Sequence, residues 1–203
     1  MKILFATTNE GKMAEIKKIA EGSGVEFVSL RGLGIDCDIK EDGATFMENA
    51  LIKARAAHNL SGLDAAADDS GLAVDYLNGE PGVYSARYMG EGVSYEIKNK
   101  KIIELLDGAP DDKRTARFKC AMAFVGADGA ALCSEASIEG RIAYEPAGSN
   151  GFGYDPIFYI PRYKATAAEL DIDIKNKISH RGLALRFLIE KIRARYGVGN
   201  AGL

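Results

Sequence analysis

Cysteine is scarce in this sequence: only Cys37, Cys120 and Cys133 occur, widely spaced and without a CxxC pair. Neither a disulfide framework nor a zinc site is indicated, and we expect small buried thiols in a reducing compartment. Long apolar runs are also missing, since no segment approaches the roughly 20 apolar residues that span a bilayer. The run 1–5 is typical of a strand and not of a signal peptide. These absences predict a cytoplasmic protein without a membrane partner.

A strong charge of one sign is absent as well. The net charge is -3, whereas binding to duplex nucleic acid usually requires a basic face, so no nucleic-acid partner is expected. Any anionic ligand must instead be held by a local basic cluster or by a metal ion. The 203 residues, 47% hydrophobic and 27% charged, have the composition of an ordinary globular protein. Their number suits a single domain over residues 1–203, or two closely packed lobes.

The first fifty residues carry the signals of an α/β fold. A strand over 3–7, a polar loop, a helix that begins near Met13 and a strand over 25–28 make a βαβ opening. Thr45 and Glu48 have the spacing of a capping box at the start of a second helix.

The rest of the chain adds strands and helices without a repeat or a low-complexity linker. A strand over 63–67 leads into a turn at 68–71. The runs 115–125 and 130–142 flank a glycine-containing turn, which is a hairpin signal. A last helix lies between Ser179 and Gly197. We predict a mixed twisted sheet with flanking helices, and the pattern leaves open a division into two lobes around a cleft.

The polar segment 7–12, Thr-Thr-Asn-Glu-Gly-Lys, lies between the first strand and the first helix. A helix N-terminus presents free N–H groups and partial positive charge, which attract anions. The hydroxyls of Thr7 and Thr8, the Asn9 amide and the Lys12 ammonium would add donors for phosphate oxygens. The spacing is not that of a Walker loop. The alternative is that Asn9 caps the helix and that Lys12 is solvated.

The segment 68–71, Asp-Asp-Ser-Gly, is predicted to form a turn at the carboxyl end of a strand, where open α/β sheets place their ligands. Adjacent carboxylates repel each other, and a bound Mg²⁺ relieves the repulsion. Mg²⁺ prefers one or two carboxylates with substrate phosphates and water, and Asp69 and Glu41 could supply those carboxylates. Asn49 and Lys53 share one helix face. The alternatives are an Asx-turn that ends the strand and an ordinary surface pair.

A fourth segment, 149–156, places two aromatic residues among glycines. Phe152 and Tyr154 could offer flat faces to a nucleobase. The candidates for reading its polar edge are Asp155, Lys175, His180 and Arg181. The alternative is aromatic packing beneath a loop, with a solvated helix start.

The sequence lacks the residues of covalent catalysis. Ser70 has no histidine near it, and no GxSxG motif occurs. Metal-assisted attack by water is therefore the favoured reaction class.

Taken together, these segments resemble the RdgB-like family of inosine/xanthosine triphosphate pyrophosphatases. The matching stretches are TTNEGK (7–12), EDGATFMENALIKA (41–54), ADDSGLAVDYLNGEPGVYSARY (67–88), GFGYDPIF (151–158) and KNKISHRGLAL (175–185). They occur in one order across nearly the whole chain, and DDSGL followed by PGVYSARY is highly specific, as is GFGYDP with SHRG.

The resemblance implies hydrolysis of deaminated purine triphosphates (ITP, dITP and XTP) to the nucleoside monophosphate and pyrophosphate. It implies an elongated two-lobed α/β fold with a central active-site cleft, and a homodimer. Asp69 would be the catalytic acidic residue, assisted by Lys53, and Asp69 with Glu41 would hold Mg²⁺. The implied substrate-binding residues are Thr7, Thr8, Asn9, Glu10, Gly11, Lys12, Ser70, Phe152, Gly153, Tyr154, Asp155, Lys175, His180 and Arg181.

Two other functions remain open at this point. One is a pyrophosphatase that acts on another altered nucleotide, such as a modified pyrimidine triphosphate. The other is a nucleotide-binding module without catalysis, although the carboxylates argue against it because a binder needs no general base.

Overall fold

The computed structural model describes residues 1–35 and 39–199, so Cys37 lies outside the described residues. The strands are β1 (Lys2–Phe5), β2 (Glu26–Ser29), β3 (Ala65–Val74), β4 (Thr115–Val125), β5 (Ala131–Ile142), β6 (Phe158–Ile160) and β7 (Ala165–Thr166). The α-helices are α1 (Glu10–Ala20), α2 (Phe46–Ser61), α3 (Tyr95–Leu105), α4 (Ile172–Ile178) and α5 (His180–Tyr196). Among the described residues, no helix combines the length and apolar character needed to cross a membrane.

The seven strands form one sheet in the order β2-β1-β3-β4-β5-β6-β7. β1 pairs in parallel with both β2 and β3, because α1 and α2 return the chain to the same end of the sheet. β6 pairs antiparallel with β5 and with β7. The prediction of a mixed sheet with flanking helices is therefore confirmed, whereas the two-lobed architecture with a central cleft stays a prediction.

Local capping signals set the helix starts. Thr45 accepts a hydrogen bond from Glu48 N through its hydroxyl (3.1 Å), and the Glu48 carboxylate accepts one from Ala44 N (2.7 Å). Asn9 caps α1 and Ser94 caps α3 in the same way, each side chain accepting from a backbone N–H three residues on.

The prediction of a turn at 68–71 is wrong, because β3 continues through these residues to Val74. Every β3 residue except Ser70 is buried, and Leu72 N donates to the Ser85 hydroxyl (2.9 Å). The local preference of Asp, Ser and Gly for turns is outweighed by the burial of Leu72, Ala73 and Val74. Consecutive side chains of a strand point to opposite faces, so Asp68 and Asp69 do not share one environment.

The described residues divide into two compact units. The first comprises the described parts of Met1–Asp69, Cys120–Ala136 and His180–Leu203, and its core includes Phe5, Phe27, Phe124 and Leu188. The second comprises Ser70–Lys119 and Ser137–Ser179, and its core includes Leu72, Ile102, Phe118 and Phe158. The single domain over residues 1–203 stays a prediction.

Candidate active site

Asp69 lies on the face of β3 that is covered by α2. Its Oδ2 accepts a hydrogen bond from Asn49 Nδ2 (3.0 Å), and its Oδ1 lies 3.6 Å from Lys53 Nζ. Lys53 Nζ also lies 3.0 Å from Glu41 Oε2. Asn49 and Lys53 are one helical turn apart, so α2 presents an amide and an ammonium to the same carboxylate. The four side chains form one group, which we call the Asp69 group.

In the Asp69 group, the pKa values of both Asp69 and Lys53 are raised, for different reasons. Burial raises the pKa of Asp69, and the nearby negative charge of Glu41 adds to this, although Lys53 and the Asn49 hydrogen bond oppose it. For Lys53, burial alone would lower the pKa, but the charges of Asp69, Asp68 and Glu41 outweigh burial and raise it. The Asp69 group therefore combines a carboxylate of raised basicity with a lysine that stays protonated.

Asp68 has the opposite environment. Its carboxylate contacts Lys12 Nζ at 3.1 Å and Arg181 Nε at 3.4 Å, and Arg181 Nη1 donates to Glu15 (2.6 Å). Burial would raise the pKa of Asp68, but Lys12, Arg181 and Lys53 outweigh it and hold the pKa well below its ordinary value. Asp68 is therefore more acidic than an ordinary aspartate and pairs with two cations, which makes it a poor candidate for a base.

The segment 7–12 leaves β1 and enters α1. Asn9 Oδ1 accepts from Lys12 N (3.0 Å), and the Thr7 hydroxyl accepts from Asn9 N (3.1 Å). The alternative that Asn9 caps the helix is thus confirmed. The alternative of a solvated Lys12 is wrong, because its ammonium pairs with Asp68.

A cavity of about 740 Å³ adjoins this segment within the first unit. Thr8 and Glu10 line it together with Lys17 and Arg31, and Glu10 pairs with Arg31. Gly11 lies in the first turn of α1. The cavity contains hydroxyl groups, the start of a helix and cationic side chains, which are the features that attract phosphate.

In the second unit, residues 151–155 form a tight turn organised by Asp155. Its carboxylate accepts from Phe152 N (2.8 Å) and from Lys175 Nζ (2.7 Å), and both Asp155 and Lys175 are buried. Gly151 has φ +77°, and a Cβ there would collide with Asp155 and lie 2.7 Å from Lys175 Nζ. Only glycine fits at this position.

The two aromatic residues of the turn differ in exposure. Tyr154 is 3% exposed, its hydroxyl donates to Ser85 O (2.8 Å), and its ring meets Tyr95 edge to face. Phe152 is half-buried, with Lys175 Nζ 5.3 Å from its ring centroid. Phe152 is therefore the more accessible ring of the two.

The structure brings several of the sequence candidates together and separates others. Within the first unit it assembles Lys12, Glu41, Lys53, Asp68, Asp69 and Arg181, and His180 is buried at the start of α5. Ser70 and the residues of 151–155 with Lys175 belong to the second unit.

Sequence reasoning missed two functional candidates. The spacing of Asn49 from Lys53 predicts a shared helix face but not the hydrogen bond from Asn49 to Asp69. Glu15 pairs with Arg181, which lies 166 residues away, so no local spacing identifies it.

These features define an α/β protein with buried charged groups on both faces of one central strand. Comparison with known proteins is more specific: the chain belongs to the Ham1 family, whose model matches residues 3–191. The resemblance drawn from the five segments is confirmed.

The chain is 47% identical to a dITP/XTP pyrophosphatase of Desulforamulus reducens, over 97% of this chain and 98% of the relative. It is 45% identical to a dITP/XTP pyrophosphatase of Escherichia coli, over 95% and 98%. The solved structure of a HAM1 protein from Coxiella burnetii superposes with a TM-score of 0.86 at 43% identity, covering 96% of this chain and 99% of that one.

Proposed function

We propose that this protein is a nucleoside triphosphate pyrophosphatase that hydrolyses ITP, dITP and XTP to the nucleoside monophosphate and pyrophosphate. The observation that carries the proposal is the full-length similarity to relatives named dITP/XTP pyrophosphatase. The Asp69 group supports it, because anhydride hydrolysis requires a base for water and positive charge for the phosphates. The homodimer and the cytoplasmic location stay predictions.

Asp69 is proposed as the base. Its raised pKa makes the carboxylate a better proton acceptor than an exposed aspartate, and Asn49 holds one of its oxygens in place. Water loses a proton to Asp69 as the water oxygen bonds to the α phosphorus. The anhydride bond between the α and β phosphates breaks, and pyrophosphate leaves. Lys53 stabilises the negative charge that accumulates on the phosphate oxygens.

The residues fit Mg²⁺ at Asp69 and Glu41. Both carboxylates lie near one point, since Lys53 Nζ is 3.6 Å from the first and 3.0 Å from the second. The described residues contain no group of three His, Cys, Asp or Glu side chains able to hold a metal, so phosphate oxygens and water would complete the coordination, as Mg²⁺ prefers. When bound, Mg²⁺ neutralises phosphate charge.

Substrate contacts are proposed residue by residue. Residues 7–12, which line the 740 Å³ cavity in part, would bind the triphosphate, and Ser70 would touch the substrate. The residues proposed to contact the nucleobase are Phe152, Gly153, Tyr154, Asp155, Lys175, His180 and Arg181. Hypoxanthine and xanthine carry a 6-oxo acceptor where adenine carries an amine, so hydrogen-bond donors would favour them over adenine.

A nucleotide panel tests the proposal. ITP, dITP, XTP, ATP, GTP and a modified pyrimidine triphosphate are incubated with Mg²⁺ at matched concentration, and pyrophosphate is measured. We expect turnover of the first three and weak turnover of ATP. No pyrophosphate from ITP would overturn the proposal, and binding without turnover would indicate a binding module.

The matched variants are Asp69→Asn and, as a control, the exposed Asp112→Asn. Loss of a general base should lower kcat by about 10²- to 10⁴-fold without changing the circular dichroism spectrum. Asp112→Asn should behave as wild type. If Asp69→Asn retains the wild-type kcat, Asp69 is not the base.

A further inference from the structure

Helix α3 packs against the turn 151–155 within the second unit. Tyr95 and Asn99 are four residues apart and share one helix face. Both reach Gly153: the Tyr95 ring lies 3.6 Å from where a Cβ of Gly153 would be, and Asn99 Nδ2 donates to Gly153 O (3.1 Å). This face of α3 carries no role in the proposed mechanism.

Asn99 is an unexpected residue at a buried position. It is 4% exposed, and its Oδ1 has no hydrogen-bond partner among the described residues. The amide cannot be reversed to relieve this, because Gly153 O can only accept and would then face Oδ1. A buried amide with one unpaired atom is costly, whereas leucine would fill a similar volume without that cost. Stability alone therefore does not explain an asparagine here.

The donor atom of Asn99 supplies the missing explanation. Gly153 has φ +71°, a left-handed conformation, and it separates Phe152 from Tyr154. Asp155 restrains the turn through Phe152 N, and Asn99 restrains it through the carbonyl of Gly153. Without the Asn99 donor, the Gly153 carbonyl loses its hydrogen bond to α3. Of these two restraints, the turn then keeps the one that Asp155 provides through Phe152 N.

We propose that Asn99 is a positioning residue for recognition of the nucleobase. It fixes the Gly153 peptide and thereby the orientation of the Phe152 ring. The role of Phe152 in base recognition rests on the proposed function. The restraint of the turn does not, so the two can be tested separately.

The first test uses fluorescence and needs no substrate. The chain has no tryptophan, so Phe152→Trp gives a single reporter in the turn. In that background, Asn99→Asp removes the donor at constant size, and Asn99→Leu also removes the buried amide. Both should increase acrylamide quenching of the introduced tryptophan. The control is Thr166→Val, which removes another part-buried side-chain hydrogen bond of the same unit, from Thr166 Oγ1 to Ala147 O (2.7 Å), and should leave quenching unchanged.

The second test measures kinetics in the wild-type background. Both Asn99 variants should raise KM for ITP by about tenfold with less than about twofold change in kcat, and should lower the preference for ITP over ATP. A general loss of stability does not produce this split, and Asn99→Leu should show it while keeping a Tm near that of wild type.

The outcomes separate the two claims. Unchanged quenching, or kinetic changes that merely follow Tm, would overturn the positioning role of Asn99. Increased quenching in a protein that releases no pyrophosphate from any nucleotide would support the restraint of the turn and overturn the proposed function.

Discussion

Lys53 offers the sharpest perturbation of the candidate site. Its side chain is 10% exposed and its ammonium lies between two carboxylates, at 3.0 Å from Glu41 and 3.6 Å from Asp69. Lys53→Met removes the charge and keeps most of the length of the side chain. The two carboxylates then lose the ammonium group that lies close to both.

The size of the effect follows from these distances. At an effective dielectric constant of about 20, each contact is worth about 5 kcal/mol of attraction before desolvation is subtracted. Removing one partner of a buried pair costs about 3–5 kcal/mol, and Glu41 is 31% exposed, so we expect about 3 kcal/mol. For a protein of this size each kcal/mol lowers Tm by about 2–4 °C, which gives a decrease of about 6–12 °C.

Two assays measure the consequence. Thermal unfolding in EDTA should show the decrease in Tm, and Mg²⁺ should restore part of it, since the loss of the Lys53 charge increases the attraction of the site for a divalent cation. Pyrophosphate release should fall by about 10²-fold in kcat, the usual loss of one charge-stabilising group.

The control is Arg55→Met, which removes an exposed cation from the same helix and should stay within about 0.5 kcal/mol of wild type. If Lys53→Met matches Arg55→Met in both Tm and kcat, the two ion pairs of Lys53 contribute neither to stability nor to catalysis, and the reasoning fails.

Two further predictions concern stability in each unit. Arg114 is buried and donates to the carbonyls of Ile142, Leu106 and Ala143 (2.9, 2.9 and 3.0 Å), so Arg114→Lys should cost about 2–3 kcal/mol in chemical denaturation, and an unchanged midpoint would contradict this. Hydrogen bonds from Arg195 and Tyr196 lower the pKa of Asp128 from 3.8 to about 2. Because the folded-state pKa is depressed, the stabilisation by Asp128 is complete above pH 3.8 and is lost as the pH falls through about 2. The Tm difference between wild type and Asp128→Asn should therefore shrink over this range, and a constant difference would refute the linkage.

Local signals in the sequence predicted the start of α2 and the hairpin well, whereas α1 begins at Glu10, before the predicted start near Met13. The capping box of Thr45 and Glu48 depends on residues three apart. The long strands β4 and β5 are neighbours in the sheet, and Gly126 N bonds to Ala130 O (2.9 Å) in the turn between them. In both cases the determining contacts lie within a few residues, so the pattern contains the information.

Contacts between distant residues were beyond the reach of these patterns. Asp68 is 56 residues from Lys12 and 113 from Arg181, and no spacing rule relates them. The sequence therefore suggested that Lys12 was either a phosphate donor or solvated, and that Arg181 was a base contact, without revealing that both pair with Asp68. The turn predicted at 68–71 failed for a related reason, since burial within a central strand overrides local turn preference.

The correction of that turn to a strand explains the division of labour between the two aspartates. In a turn, the adjacent carboxylates of Asp68 and Asp69 would repel each other, and a bound Mg²⁺ would relieve that repulsion. In β3 they point to opposite faces, where Asp68 meets Lys12 and Arg181, and Asp69 meets Asn49 and Lys53. The pKa of Asp68 is lowered and that of Asp69 is raised. Strand geometry thus shifts the pKa values of two adjacent, identical residues in opposite directions, and this supports the proposal that Asp69, not Asp68, is the base.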